Sequence, residues 1–170
     1  MILGMSIATF TVVHVLISLV AIATGIVVVI GMVNNRSLAG WTGVFLWTTV
    51  LTSVTGFLFP LTKIGPPHIF GALSLLVLVP TILAQYPFHL AGGWRSAFVL
   101  GSLFTLYLNV VVLIVQSFQK IPFLNSLAPT QSSEPAFAGT QGVVLVLFVL
   151  AGVRATKRFH PAAATRAAVV

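Results

Sequence analysis

Long apolar stretches, broken only by short polar turns, constrain this chain more than any other feature. Of its 170 residues, 58% are hydrophobic and only 5% are charged, whereas soluble domains carry roughly 25% charged residues. So few charges cannot cover a core of this size with a soluble surface. The sequence therefore predicts a polytopic membrane protein.

Five segments reach the roughly 20 residues that a helix needs to cross the hydrocarbon core of a bilayer. They lie approximately at 7–33, 41–61, 67–86, 94–118 and 136–154. Pro66 and Pro67 suit the first turn of the third segment, because a missing N–H leaves no hydrogen bond unmade there. We predict an all-α bundle of about five transmembrane helices that form a single domain.

The basic residues are unevenly distributed between the two sides that five crossings create. One side receives six of them, namely Arg36, Arg95, Arg154, Lys157, Arg158 and Arg166. The other receives Lys63 and Lys120, together with Glu134, the sole acidic residue. Cytoplasmic loops are enriched in Lys and Arg. We therefore predict a cytoplasmic C-terminus with a basic tail at 155–170, and an N-terminus outside.

The same charges bear on the partner of the basic tail and on the presence of a signal peptide. The sequence pI near 11.5 reflects this basic tail, which we assign to contact with anionic membrane lipids rather than with nucleic acid. Residues 1–33 contain no Lys or Arg, so they lack the basic n-region of a signal peptide. We expect the first helix to be retained.

An amide-rich stripe runs along the fourth segment. Its members recur at helical spacing: Ser102, Thr105, Asn109, Gln116 and Gln119. Residues at these steps share one face of a helix. Small and hydroxyl-bearing residues hold membrane helices together through close packing and hydrogen bonds, which is sufficient to explain Ser102 and Thr105. The amides of Asn109 and Gln116 are also candidates for ligand contacts.

Six polar residues from five helices form the predicted ligand-binding set. They are His14, Thr55, His68, Asn109, Gln116 and Gln141. With the N-terminus outside, five of them share the outer half of the membrane, and Asn109 lies near its middle. Strongly polar groups within membrane spans usually face the bundle interior and often mark a functional site.

The chemistry of this set leaves the cofactor unknown. His14 and His68 are candidate metal ligands, and haem b is the most economical metal-site hypothesis because haem iron needs only two axial ligands. Zinc or copper would need further ligands, yet the chain has no Cys and no acid within a span. A quinone or lipid pocket is a further hypothesis. Glu134 lies with Ser133 and Pro135 in a typical helix start.

The chain carries no catalytic motif. It has no nucleophile elbow, phosphate-binding glycine loop, HExxH sequence or carboxylate pair, and these are the arrangements from which most hydrolytic and transfer sites are built. The sequence therefore favours a protein that is not an enzyme.

Three stretches carry a resemblance to other proteins: GWTGVFLWTTVLTSVTGFLFP, FHLAGGWR and NVVVLIVQSFQKIPFLNSLAPTQSSEPAF. They are similar to a group of small, uncharacterised bacterial membrane proteins with several helices. This resemblance implies a bacterial inner membrane and brings no activity or ligand with it.

The leading functional hypothesis is a non-enzymatic membrane protein that binds a small ligand, or serves as an accessory subunit, with a polar pocket in the outer leaflet. The alternatives are a single-haem b-type cytochrome ligated by His14 and His68, and a small transporter with Asn109 and Gln116 along its path. Membrane lipids are expected partners. Other membrane subunits or further copies of the chain are additional candidates.

Overall fold

The structure of the chain is a computed structural model that describes residues 1–59, 66–130 and 134–161. These residues form helices and no strand. The helices are α1 (Ile7–Val33), α2 (Ala39–Gly56), α3 (Pro66–Gln85), α4 (Trp94–Lys120), α5 (Pro122–Leu127) and α6 (Pro135–Arg158). The prediction of an all-α fold is confirmed. The predicted cap residue Ser133 and most of the basic tail lie outside the described residues.

The helix boundaries follow local sequence signals. The Ser6 hydroxyl accepts a hydrogen bond from the Thr9 backbone N–H at 3.1 Å and caps the start of α1, as expected of serine at this position. Pro122 ends α4, since it disfavours helical backbone at the preceding Ile121, which is extended. Glu134 occupies the N-cap position of α6 with Pro135 directly after it, and its carboxylate accepts a hydrogen bond from Thr130 at 3.1 Å.

Four of the described helices, α1, α3, α4 and α6, are long and apolar enough to cross a membrane. The chain is therefore a membrane-embedded helical protein. The predicted second span, 41–61, corresponds to the shorter α2, which has 18 residues. Its five threonines and Ser53 make it less apolar. Because α2 packs along α1 and α3, it lies within the same bundle and is the fifth long helix.

The first four helices form a ring. Neighbouring pairs in this ring are α1 with α2, α2 with α3, α3 with α4, and α4 with α1. The sixth helix packs on the outside of the ring, against α4 and α1. Helix α4 touches all five of the others, and among the four membrane-length helices it has the largest share of buried residues. Because of this central position, α4 contributes both to the apolar core and to the cavity described below.

One half of the ring, which we call the packed half, contains a continuous apolar core. Its members include Met32, Phe45, Leu46, Leu78, Phe98, Val99, Leu106, Ala155 and Phe159. Glycines permit close approach here: a Cβ added at Gly25 would lie 2.7 Å from Leu106 Cδ1, and one at Gly101 would overlap the Thr81 hydroxyl. Such tight packing is how helices associate in lipid, where there is no hydrophobic driving force between them.

At the basic end of the packed half, hydrogen bonds connect the end of α6 to the four-helix ring. Arg95, in the first turn of α4, donates from Nη1 to the carbonyl oxygens of Thr156 at 2.9 Å and Phe159 at 2.7 Å. These carbonyls belong to the C-terminal end of α6, whose last C=O groups have no helical partner. The His160 backbone N–H also donates to Asn35 Oδ1 at 2.8 Å. Both contacts join the end of α6 to the four-helix ring.

Candidate ligand-binding site

The other half of the ring encloses a cavity of about 650 Å³. Its wall comes from the first half of α1, the end of α2, the start of α3 and the second half of α4. Alternating helix directions bring these four segments to the same end of the bundle. The volume lies within the range of about 300–1,000 Å³ that is typical of small-molecule sites. We call this part of the molecule the cavity half.

Four of the six residues predicted from the sequence line this cavity: His14, His68, Asn109 and Gln116. Thr55 lies behind the wall, hydrogen-bonded to His14. Gln141 is elsewhere, because it belongs to α6, which packs outside the ring. The sequence assigned Gln141 to the same half of the membrane as the others, and it does lie at that end of α6. The position of α6 relative to the other helices could not be predicted from the sequence.

The His14 ring is held in one orientation. Its Nδ1 lies 2.8 Å from the Thr55 hydroxyl, and that hydroxyl lies 2.6 Å from the Leu51 carbonyl oxygen. A hydroxyl has one hydrogen. Since Thr55 donates it to Leu51, Thr55 must accept from the Nδ1–H of His14. The Nε2 atom of the neutral ring therefore keeps its lone pair as a hydrogen-bond acceptor or ligand.

Aromatic side chains hold the two imidazoles in place. Phe59 meets the His14 ring edge to face, with the ring centroids 5.3 Å apart. Phe57 lies 6.1 Å from the His68 ring in a tilted arrangement. Phe57, Phe59 and Phe70 all line the cavity, so the polar groups are set in a largely apolar wall. This mixture of an apolar wall and a few polar groups is characteristic of ligand pockets.

Four polar atoms of the wall are buried and have no hydrogen-bond partner among the described residues. They are Thr52 Oγ1, Ser74 Oγ, Asn109 Nδ2 and Gln116 Oε1. The Ser74 side chain is only 2% exposed. Buried polar groups are almost always paired in native proteins, and leaving one unpaired costs roughly 1–3 kcal/mol. Four of the seven such atoms among the described residues therefore belong to side chains that line this one cavity.

Two other buried threonines form hydrogen bonds within their own helix. Thr49 and Thr81 donate to the backbone carbonyl oxygen four residues earlier, each at 2.7 Å. Ser and Thr side chains inside a helix often form this hydrogen bond to the i−4 carbonyl oxygen. Thr52 and Ser74 do not use it in this structure. The amide side chains of Asn109 and Gln116 are less suited to it and depend more strongly on partners from outside their own helix.

The polar groups of α4 are spaced along the axis of the cavity. Lys120, Gln116 and Asn109 all line it. At a rise of 1.5 Å per residue, Asn109 lies roughly 10 Å below Gln116 and roughly 16 Å below Lys120. The exposed Lys120 is at the mouth, and Asn109 is near the floor.

The cavity lining carries little charge. No carboxylate lines the cavity, and Lys120 is its one cationic side chain within the described lining. Glu134, the sole acid of the chain, is bonded to Thr130 instead. An anionic or neutral molecule meets no repulsive charge here, whereas a cation would meet Lys120 without a counter-ion.

Thr52, Ser74 and Lys120 were not part of the predicted set. A signal for each was present in the sequence. Thr52 lies three residues before Thr55, and Lys120 lies four residues after Gln116, so each shares a helical face with a predicted residue. Ser74 lies three residues after Gly71, which also lines the cavity, so these two residues share a helical face.

No group of three or more His, Cys, Asp or Glu residues is suited to hold a metal ion within 1–59, 66–130 and 134–161. A site that needs three or four such protein ligands is therefore not supported in that part of the chain. His14 and His68 do line the same cavity. Two imidazoles are sufficient only for a group such as haem, which brings its own equatorial ligands.

No protein-family model, curated protein or solved structure matches this chain. The class of protein is given by its own fold and site: a membrane-embedded helical bundle with a largely apolar cavity at one end that contains a few polar side chains.

Proposed function

We propose that the chain is an integral membrane protein that binds a small molecule in the cavity half and that it acts as a binding or accessory protein rather than as an enzyme. One observation carries the proposal: four buried polar atoms without partners among the described residues surround a single cavity. In lipid there is no bulk water to satisfy such atoms. A bound molecule would supply hydrogen bonds to these side chains once they turn toward the cavity.

Binding is favoured over catalysis by the chemistry of the wall. The two imidazoles are the groups of the described lining that can exchange protons near neutral pH, but His14 donates to the Thr55 hydroxyl and does not activate it as a nucleophile. The remaining polar groups of the cavity are hydroxyls, amides and one exposed lysine. These groups recognise a ligand well but supply little chemical activation.

The test is mass spectrometry of small molecules extracted from the purified protein. The Asn109→Leu variant should lose a molecule that co-purifies with the wild type, because leucine removes the amide at the cavity floor while remaining well tolerated in a membrane helix. Ser102→Ala serves as the control, since Ser102 is on the same helix but in the packed half. Equal content in wild type and Asn109→Leu would leave the polar stripe of α4 as packing alone.

A single-haem cytochrome is the second candidate. The hydrogen bond from His14 Nδ1 to Thr55 favours it, because ligating histidines usually donate their other ring N–H to a fixed acceptor. Protein purified from haem-replete cells should then show a Soret band that disappears in both His14→Ala and His68→Ala. A colourless protein would rule out this candidate and leave the small-molecule proposal intact.

A transporter is the third candidate and has less support. The cavity ends near Asn109, and the packed half lies beyond it with Phe45 and Leu106 nearly inaccessible. A path across the membrane would have to separate these tightly packed helices. We therefore place binding before transport.

We further propose a bacterial inner membrane and an orientation with the cavity half outside. The support is the distribution of described cations: five of them (Arg36, Arg95, Arg154, Lys157 and Arg158) belong to the packed end, and Lys120 belongs to the cavity end. Reporter fusions after Arg36 and after residue 160 should report cytoplasm, and a fusion within 122–132 should report the outside. A fusion within 122–132 on the same side as the C-terminus would contradict the orientation.

A further inference from the structure

The cavity has two ends with different chemistry, and this difference indicates what kind of molecule it takes. We infer that its ligand is an elongated amphiphile with an anionic group at the mouth and a second, uncharged hydrogen-bonding oxygen at its inner end. The inference rests on the proposed function and names the ligand class of the same site.

The floor of the cavity requires a polar ligand end. Asn109 lies there beside Leu108 and Ile22, and its Nδ2 is buried with no partner among the described residues. A hydrocarbon terminus would leave this N–H group unpaired, at the cost that buried donors carry. After a turn of the side chain, the Asn109 amide can present its NH₂ group or its oxygen to the cavity, and a hydroxyl at the inner end of the ligand could pair with either. A simple fatty acyl chain is therefore a poor fit to the inner end.

The mouth favours a negative charge. Lys120 is the cation of the lining and is exposed, and Gln116 lies one helical turn below it. Its amide can present either its oxygen or its NH₂ group to a ligand after a half-turn of the side chain. A carboxylate at this level would pair with the lysine ammonium. A cationic head would have no acidic partner within the described lining.

The middle of the cavity tolerates an apolar ligand segment. Val15, Leu19, Val112 and Leu113 line it. The hydroxyls of Thr52 and Ser74 at this level can turn back to a carbonyl of their own helix, as Thr49 does. The two amides cannot satisfy themselves so easily. Their positions therefore define where the ligand must be polar.

The spacing of the two ends sets the length of the ligand. Lys120 and Asn109 are eleven positions apart on α4, which is roughly 16 Å along the helix. An extended chain of about 12 carbon atoms, with C–C bonds near 1.5 Å, spans a comparable distance. The molecule 12-hydroxydodecanoate has this length, with a carboxylate at one end and a hydroxyl at the other.

The experiment compares three probes by native mass spectrometry of the full chain in nanodiscs: 12-hydroxydodecanoate, dodecanoate and dodecylamine. The wild type should retain the hydroxy acid about tenfold better than dodecanoate, the factor expected of one well-placed buried hydrogen bond. It should retain dodecylamine least. Asn109→Leu should remove the preference for the hydroxy acid, while Ser102→Ala should keep it.

A second variant keeps the inference testable if Asn109→Leu does not fold. Lys120 is exposed, so Lys120→Gln leaves the packing unchanged and should weaken both acids without weakening 1,12-dodecanediol. Equal retention of the two acids by the wild type, or retention of dodecylamine as strong as theirs, would overturn the inference. If the wild type retains none of the probes while Asn109→Leu still loses a co-purifying molecule, the inference is wrong and the proposed function stands.

Discussion

The two halves of the four-helix ring treat polar side chains differently. In the packed half, the hydroxyls of Thr49 and Thr81 bond to their own helix, and Arg95 bonds to the end of α6. In the cavity half, Asn109 and Gln116 have buried polar atoms without partners in the part of the chain that the structure describes. Ser102 in the packed half also has an unpaired Oγ, so the comparison teaches that an unsatisfied polar side chain indicates a site only where it also lines a cavity, as Asn109 and Gln116 do.

The halves also differ in how closely the helices approach. Gly25 and Gly101 leave no room for a methyl group in the packed half. In the cavity half, a Cβ added at Gly56 would make an ordinary contact of 3.8 Å with His14 Cε1. Gly71, which also lines the cavity, is tighter, since an added Cβ would lie 3.2 Å from the Phe57 ring. The closest approaches are nevertheless in the packed half, and the open space is at the end of α2.

The largest expected difference between the halves concerns aromatic side chains. Phe45 is fully buried in the packed half, so Phe45→Ala should lower the free energy of unfolding by about 3 kcal/mol or more. Phe70 lines the cavity and is half-buried, so Phe70→Ala should cost less than half as much. Unfolding in mixed micelles with increasing SDS would measure both. Equal losses would mean that the two halves are equally well packed.

The next comparison uses two glycines. Gly101→Ala should destabilise the protein by about 1–3 kcal/mol, because the new methyl group overlaps the Thr81 hydroxyl and forces α3 away from α4. Gly56→Ala should change the stability by no more than about 0.5 kcal/mol. The melting temperatures of the two variants, measured in the same detergent, check the prediction. A Gly56→Ala variant as unstable as Gly101→Ala would show that the end of α2 is not open.

Much of the fold could be predicted from the sequence, since apolar length determines a membrane helix. The first span, 7–33, coincides with α1, and the fourth, 94–118, extends only to Lys120 in α4. The short helix α5 was missed because its six residues carry no measurable periodicity, and its sequence PFLNSL lies in a segment whose Pro, Ser and Asn content is that of a loop. The second span was predicted to reach residue 61, because the apolar residues after Gly56 continue the hydrophobic pattern, whereas α2 ends at Gly56 and residues 57–59 are not helical. Residues 60 and 61 lie outside the described residues.

The candidate site could be predicted in part, for a related reason. Helical spacing and direction were sufficient to bring His14, His68, Asn109 and Gln116 to one end of the bundle. Which helices are neighbours depends on packing between side chains that are distant in sequence, and Gly25 against Phe45 is one such contact. The sequence therefore could not show that α6, and Gln141 with it, lies outside the ring.

The smallest expected difference concerns two buried serines. Ser74 and Ser102 are 2% and 0% exposed, and neither Oγ has a hydrogen-bond partner among the described residues. Replacing either by alanine should change the stability by roughly 0.6 kcal/mol or less. Only Ser74→Ala should also weaken retention of the co-purifying molecule, since Ser74 lines the cavity and Ser102 does not. Equal retention by both variants would assign the two serines the same packing role.

The most direct test of the central claim compares two glutamines whose side-chain oxygens are both buried and unpaired among the described residues. Gln116 and Gln141 each have a buried Oε1 without a partner among the described residues, but only Gln116 lines the cavity. Native mass spectrometry should show that Gln116→Leu loses the bound molecule, whereas Gln141→Leu retains it at the wild-type occupancy. Equal occupancy in the two variants, or a loss confined to Gln141→Leu, would contradict the assignment of this cavity as the ligand-binding site.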